Sequence, residues 1–444
     1  GSVGSRVTFA PTLCYPFGPV MFLPTTASSV HNKARRTLRS SSPATALSGQ
    51  PRECIGGTSN ELWLGTTWQR EGALAMQWRH SYGMVCVPEF RGNGTSGPRL
   101  VLVGGFDGSL MRSESCIVDQ NTATVQTTRT PWSARLGISI CSTESGIIFL
   151  VAGFTRKGAI LRDVWRSDDA GISWVEVTDS APWVDRYDVG VAAHDRPDGE
   201  VDLWIVGGFA EAAYQNDVWH SSNSGKSWSR VAKAAPWKPR RGASLTLANG
   251  KLIIAGGNRY LTKAEVQQTD RMPVQPSSGR WEWFSDVWES ADNGATWTLL
   301  TDAAGWDPRS SASLISDPCS GQLYLGVGIK APRTACADVW TSQDGGRTWL
   351  ELPSNVDSHR TTRHPSRMVL QHQRGIPTLV IVGGGEGDYN VQWRSSIAEK
   401  GRKHAVFLRE LGGAVERRTG VPADVWNRLV CPFVLPQAAL DLTV

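Results

Sequence analysis

The feature that most restricts this chain is a segment written four times. "DVWRSDDAGISW" (163–174) is followed by "DVWHSSNSGKSW" (217–228), "DVWESADNGATW" (286–297) and "DVWTSQDGGRTW" (338–349). Copies spaced by some fifty to seventy residues argue for one supersecondary unit stacked repeatedly, because a single such unit cannot bury its own apolar face. A second rhythm accompanies the first. Apolar runs end in paired glycines, or near versions, at Gly57, Gly105, Gly153, Gly208, Gly257, Gly328 and Gly384. Before each run except the first, an Arg opens an alternating apolar strand. The clearest are "RLGISICS" from Arg135, "RGASLTLAN" from Arg241 and "RSSASLIS" from Arg309. After each run come a loop, "DVW" or "ELW", a turn ending in Trp, and another strand. Four short strands per repeat read as an all-β chain.

Four strands in about fifty residues is the period of a propeller blade. Seven glycine pairs therefore predict a seven-bladed β-propeller over 51–444, with an extended N-terminal arm over 1–50. Second strands end where blades converge, and a residue without Cβ permits close approach and positive φ there. The Arg-led first strand, the Gly-Gly ending and the aromatic third and fourth strands resemble the kelch propeller family over nearly the whole of 51–444. Within the repeated segment, "SDDAGISW", "SADNGATW" and "SQDGGRTW" are similar to the Asp box (BNR repeat) of sialidase-type propellers. In such a turn Ser and Asp bond the backbone, Gly takes the left-handed conformation and Trp packs beneath. "SSNSGKSW" places Asn223 where the acid belongs. Asn can accept the same hydrogen bonds but cannot act as a general acid. Asp169, Asn223, Asp292 and Asp344 therefore read as structural.

The blade of Gly57 lacks a first strand on its own side of the chain, whereas "NRLVCPFVL" from Asn427 supplies one to spare. This C-terminal strand is expected to close the ring by pairing with "RECIGG", which would bring Cys54 and Cys431 roughly opposite, either as free thiols or as a disulfide. The eight cysteines show no C-x-x-C spacing, so neither a zinc site nor a thioredoxin-like motif is indicated; no metal or cofactor is expected. Nothing reads as a transmembrane segment, and any association with a membrane complex would be peripheral. Nucleic acid is not expected as a partner.

Residues 1–50 contain Arg6, Lys33, Arg35, Arg36 and Arg39 and no acid, so they carry the chain's whole net charge of +5. This Arg- and Ser-rich stretch resembles an organellar transit sequence of mitochondrion or plastid. The readings are a processed leader remnant or an arm lying on the propeller or on a partner.

A sialidase-like glycosidase would need a Tyr nucleophile, acids and an Arg triad. Arg79, Arg135, Arg186, Arg240, Arg309, Arg363 and Arg428 instead recur once per blade, as framework residues would. A copper oxidase built on a kelch propeller would need His and Tyr ligands converging, and His80, Tyr82, His359 and His364 are the candidates. No catalytic residue is assigned. The remaining reading is a non-catalytic scaffold for other protein subunits, with a carbohydrate-active enzyme or glycan-binding propeller as the alternative. The expected partner face carries the starts of first strands (Arg79, Arg135, Arg186, Arg240, Arg309 and Arg363). It also carries the insertion 258–285 in the fifth blade, with Tyr260, Trp281 and Trp283 of the types enriched in interface hot spots.

Overall fold

In the computed structural model the described residues are 69–73, 79–92, 95–107, 109–120, 124–210, 213–262, 280–331, 334–352, 367–373, 376–383 and 391–396. All belong to one compact unit, Trp63–Val444. They are all-β, with no helix among them. Six antiparallel sheets account for most of the strands, five of four strands and one, sheet B below, in which the short Arg135–Leu136 also pairs with the second strand. Sheet A comprises Gly83–Gly92, Thr95–Val103, Glu114–Asp119 and Val125–Arg129; sheet B comprises Ser139–Ser142, Ile148–Thr155, Ile160–Ser167 and Val175–Thr178. Sheet C is Gly190–Asp195, Val201–Val206, Val218–Ser221 and Ser229–Ala232, and sheet D is Ser244–Ala248, Lys251–Ala255, Val287–Ser290 and Thr298–Thr301. Sheet E is Ser313–Ser316, Leu323–Gly326, Val339–Ser342 and Leu350–Leu352. In each, strands pair in chain order, as short connections dictate.

Sheet F departs from that rule. Arg367–Gln373, Ile376–Val382 and Val391–Ser396 are its first three strands, and its fourth is Gln69–Ala73, from the other end of the described chain. Gln69 stands opposite Arg394 and Ala73 opposite Val391. Pairing here covers an edge that would otherwise offer free backbone groups to another chain.

The first strands of A to F neighbour one another in cyclic order, F returning to A. They line a channel of about 540 Å³. The core lies between sheets rather than at one centre. Val85, Val101 and Ile117 of A pack with Ile138, Ile148 and Leu150 on the B side, and Tyr82, Met84 and Leu102 pack with Val369, Val380 and Val382 of F. The expectation of seven blade-like sheets is not met among the described residues, which form six such sheets beside three short ones of two or three strands. At the seam Tyr82 Oη donates to Val382 O at 2.8 Å, and Arg367 Nε donates to Tyr82 O at 3.1 Å, so sheets F and A touch directly. The closing strand seen is an outer one from the N-terminal side, where an inner one from 427–435 was the expectation. Gly57, Cys54, Cys431, the arm 1–50 and the strand from Asn427 lie outside the described residues.

One arrangement recurs in sheets B to E. A buried Arg, followed two residues later by a left-handed residue, makes a bidentate pair with the Asp of "DVW". Arg135 holds Asp163 at 2.6 and 2.7 Å, Arg186 holds Asp217 at 2.6 and 3.0 Å, Arg240 holds Asp286 at 2.6 and 2.8 Å, and Arg309 holds Asp338 at 2.8 and 2.6 Å. Each guanidinium also donates to the carbonyl of the first residue of the glycine pair: Ala152, Gly207, Gly256 or Val327. The "DVW" indole N–H donates to the same Asp, at 2.7–2.8 Å, in Trp165, Trp219, Trp288 and Trp340. The second glycine then reaches the next sheet, since Gly153, Gly208 and Gly257 donate their N–H to Arg186 O, Arg240 O and Arg309 O. Sheet A keeps the plan with Arg79 and Glu114 at 2.6 Å. Burial would raise the Asp338 pKa, but the Arg309 hydrogen bonds and charge hold it below the ordinary carboxylate value.

The repeated turns couple neighbours on the opposite side of each sheet. Ser167 Oγ accepts the Gly171 N–H at 2.8 Å, Asp169 Oδ1 accepts the Ser173 N–H at 2.8 Å, and Trp174 Nε1 donates to Gly171 O at 3.2 Å. Asn223 keeps this plan with one polarity reversed: its Nδ2 donates to Ser227 Oγ at 2.8 Å, where Asp169 Oδ2 accepts from Ser173. The turn glycine must be small as well as left-handed. A Cβ on Gly171 would lie 2.6 Å from Val101, and one on Gly294 2.6 Å from the "DVW" Val218 of the preceding sheet. Each box Trp meets, nearly perpendicularly, the Trp three residues before a framework Arg: Trp132 with Trp174, Trp183 with Trp228, Trp237 with Trp297, Trp306 with Trp349. Three Trp per sheet in B to E explain much of the unusual Trp content.

Of two shortened chains, one starting at Trp68 and one at Leu74, only the second lacks the outer strand of sheet F. It should melt several degrees lower and aggregate through the bared edge; equal melting temperatures would show that Gln69–Ala73 closes nothing. In the turns, Asp169→Asn should cost about 1 kcal/mol or less because Asn keeps the acceptor, and Trp174→Ala about 3 kcal/mol or more, both read by urea denaturation. Thr296 hydroxyl and N–H bonds lower the pKa of Asp292; at Asp344 burial opposes, but the Thr348 bonds outweigh it. Because the folded values are depressed, this stabilisation is complete above the unfolded carboxylate range near pH ~4. It is lost as pH falls through the folded values. A combined Asp292→Asn, Asp344→Asn variant should therefore lose stability less steeply with acid than the natural chain.

Candidate functional site

The five described framework arginines expected on a partner face do not present their guanidinium groups there. Arg79, Arg135, Arg186, Arg240 and Arg309 are at most 4% exposed, and their forks are turned inward onto carboxylates and carbonyls. Arg363 lies outside the described residues, as do His359 and His364. His80 Nδ1 lies 3.0 Å from Ser81 Oγ and its ring is edge-on to Phe106, while Tyr82 is buried with its hydroxyl on Val382 O.

What the first-strand starts do present is the residue after each framework Arg, and then a left-handed position. Ser81, Gly137, Asp188, Gly242 and Ser311 all have φ between 54° and 61°. They are chained across sheets by the bonds Asp188 N–H to Gly137 O, Gly242 N–H to Asp188 O and Ser311 N–H to Gly242 O. Arg367 continues this chain with a side chain, donating Nη1 to Ser311 O at 2.9 Å and Nε to Tyr82 O. Asp188 is thus a carboxylate at one end of the channel, in a position the other sheets give to Ser or Gly. Burial raises its pKa, against the pull of Arg241 and Arg367. Its side chain nonetheless keeps 24% exposure, which belongs to the channel opening.

Arg241 joins this carboxylate to an aromatic track. Its Nη1 donates to Tyr187 Oη at 3.2 Å and lies 3.8 Å from Asp188 Oδ2. Its guanidinium sits 5.4 Å from the Trp281 ring centroid, 5.7 Å from Tyr187 and 5.9 Å from Phe209. Burial pushes the Tyr187 hydroxyl up to about 12. On one side the track runs Phe154, Tyr187, Phe209, Tyr214, with successive rings 4.8–5.6 Å apart.

On the other side it climbs the insertion. Asn258–Leu261 and Arg280–Trp283 form a separate two-stranded ribbon, so the strand carrying Trp281 and Trp283 does not simply extend sheet D. Tyr260 pairs directly with Trp281, their rings 5.4 Å apart, and Trp283 follows two residues on, on the same face of the strand, at 6.2 Å. Tyr260 is exposed and both Trp are half-buried. Glu282, on the other face, takes Arg259 Nε at 2.7 Å and the Lys238 ammonium; burial opposes but these bonds keep its pKa low.

The structure brings Tyr260, Trp281 and Trp283 together, and beside them stand Arg241, Tyr187, Asp188, Phe209 and Tyr214. A signal for the additions existed. Aligning the repeats on their framework Arg shows Tyr-Asp after Arg186 and a second Arg after Arg240, where neighbouring repeats have Leu-Gly or Ser-Ser. An electron-rich aromatic strip beside a cation and a carboxylate can stack the C–H face of a polar ring and bond its hydroxyls.

No family model matches the chain. Over 218 residues it is 26% identical to a xyloglucanase from a Paenibacillus species, a match that takes in 43% of this chain and 19% of that protein. The chain is thus similar to part of a glycoside hydrolase and spans about a fifth of its length.

Proposed function

We propose that this chain is a carbohydrate-binding β-propeller, six-bladed over its described residues, that holds a polysaccharide segment on the Tyr260–Trp281–Trp283 strip. The strip leads through Arg241 to Asp188 at the channel mouth. The observation that carries this reading is the strip itself: three adjacent aromatic rings on a ribbon that projects from sheet D. The likeness to a xyloglucanase points the same way and favours sugar over a protein subunit as the ligand. The expectation of a protein scaffold rests on a face of arginines together with the insertion's Tyr260, Trp281 and Trp283, and the described arginines are consumed in the framework.

The reading is of binding. Glycoside hydrolysis uses two carboxylates on either side of the scissile bond. Asp163, Asp217, Asp286 and Asp338 are each held by a framework Arg. Asp188, with its raised pKa, is the carboxylate whose place suits a proton donor. Any hydrolysis by this chain should therefore vanish in Asp188→Asn.

Calorimetric titration with xyloglucan oligosaccharides, and with cello- and chito-oligosaccharides for comparison, tests the proposal. The natural chain should bind at least one of these classes. Trp281→Ala and Tyr260→Ala should each weaken binding roughly tenfold or more, about 1.4 kcal/mol, with melting temperatures within a degree or two of the natural chain. Binding that survives both substitutions, or no binding by the natural chain, would remove the sugar reading.

A further inference from the structure

At the other end of the channel, a second cluster is unrelated to the aromatic strip. We infer that Asp317, Cys319 and His372 form a zinc site that pins sheet E to sheet F. Asp317 and Cys319 lie on the hairpin between Ser313–Ser316 and Leu323–Gly326, and His372 lies near the end of the first strand of F. One ligand atom from each residue lies within 4.8 Å of the other two. Zinc bonds of about 2.0–2.3 Å place tetrahedral ligands roughly 3.5 Å apart. Rotation of the exposed Cys319 side chain toward the other two closes that difference.

Three observations argue that this is more than a chance meeting. Asp317 is 4% exposed, far more buried than a hairpin acid has reason to be. It is also aimed: Oδ1 accepts the Cys319 N–H at 3.0 Å, Oδ2 accepts the Ser320 hydroxyl at 2.7 Å, and the Asp317 carbonyl accepts the Gly321 N–H at 2.8 Å. This leaves the carboxylate oriented as a ligand's partners usually orient it. Finally, His372 Nε2 is buried and makes no hydrogen bond. It lies 3.2 Å from Asp317 Oδ1, close enough for an ionic contact but without hydrogen-bond geometry. A buried imidazole nitrogen without a hydrogen bond, between a carboxylate and a thiol, has a lone pair to offer.

The donor set selects the metal. One thiolate, one imidazole and one carboxylate suit zinc, whereas magnesium and calcium want oxygen alone. Binding transfers the Cys319 proton to solvent, leaving a thiolate and a carboxylate to neutralise the dication while His372 coordinates as the neutral ring. Glu144, from the hairpin of sheet B, is near enough to act electrostatically on Cys319 and adds negative charge beside the site. The site would tie the sheets flanking the ring's last join, next to the seam where F meets A.

Cobalt(II) titration of the full chain reads this directly, because a thiolate-to-cobalt band appears only if sulfur binds the metal. The natural chain should develop that near-ultraviolet band and the strong visible bands of a tetrahedral centre, saturating at one equivalent and bleaching when zinc is added. Cys319→Ser should lose the sulfur band, and His372→Gln should weaken binding at least tenfold. Cys336→Ser, at a buried thiol in the connection between the second and third strands of sheet E, should change neither. Zinc should raise the melting temperature of the natural chain but not of Cys319→Ser. The absence of a sulfur band in the natural chain, or its persistence in Cys319→Ser with the fold intact, overturns the assignment.

Discussion

Everything here depends on a guanidinium buried where water does not reach. An arginine at 0–1% exposure is tolerable only if each guanidinium nitrogen finds an acceptor, because an unpaired buried charge costs several kcal/mol. Arg186 meets that demand with Val184 O, Gly207 O and both oxygens of Asp217, and Arg240 does so with Lys238 O, Gly256 O and both oxygens of Asp286. Each bond comes from a different part of the repeat: the approach to the first strand, the end of the second and the start of the third. The fork can be satisfied only when all three are in place. The glycine pair is left-handed for the same reason, since it must turn one carbonyl to the Arg of its own sheet and one N–H to the Arg carbonyl of the next.

This demand divides the chain into constrained and free parts. The Asp-box turns, at the far side of each sheet, rest their glycines against the valine of the preceding "DVW" or its equivalent, so a larger residue would push two sheets apart. The residues just beyond the framework Arg carry no such duty, and there the repeats diverge into His80, Leu136, Tyr187, Arg241 and Ser310. That freedom is what allows Tyr187, Asp188 and Arg241 to assemble at one mouth of the channel beside the ribbon of Tyr260, Trp281 and Trp283. Loops held by a rigid scaffold are where binding concentrates.

The repeats made the all-β character and the turn chemistry legible, because both rest on short-range bonds within a dozen residues. Asn223 was informative in the same way: a residue that keeps the hydrogen bonds and abandons the acid marks a structural turn. The role of the arginines was half legible. Their recurrence once per repeat signalled a framework, and "DVW" recurs with the same period, but only packing brings Arg135 to Asp163 across 28 positions. The number of sheets was not legible from glycine pairs, since a pair marks the end of a second strand and says nothing of which distant segment completes the sheet. The pairing of Gln69–Ala73 with Val391–Ser396 spans more than 300 residues and leaves no local trace. Arg367, which joins sheets E, F and A, stands four residues after the Arg363 that the repeat rhythm picks out, and no repeat signal marks it.

The central claim is that the recurrent arginines are architecture and the aromatic strip is the working surface. A double-mutant cycle on Arg186 and Asp217, read by chemical denaturation with sugar affinity measured alongside, tests it most directly. Each single removal (Arg186→Met, Asp217→Asn) should cost about 3–5 kcal/mol. The pair should cost clearly less than the sum, with a coupling of about 2 kcal/mol or more, and every variant that still folds should bind with unchanged affinity. Near-zero coupling, together with affinity lost from a chain of undiminished stability, would place Arg186 at the binding surface and contradict the account.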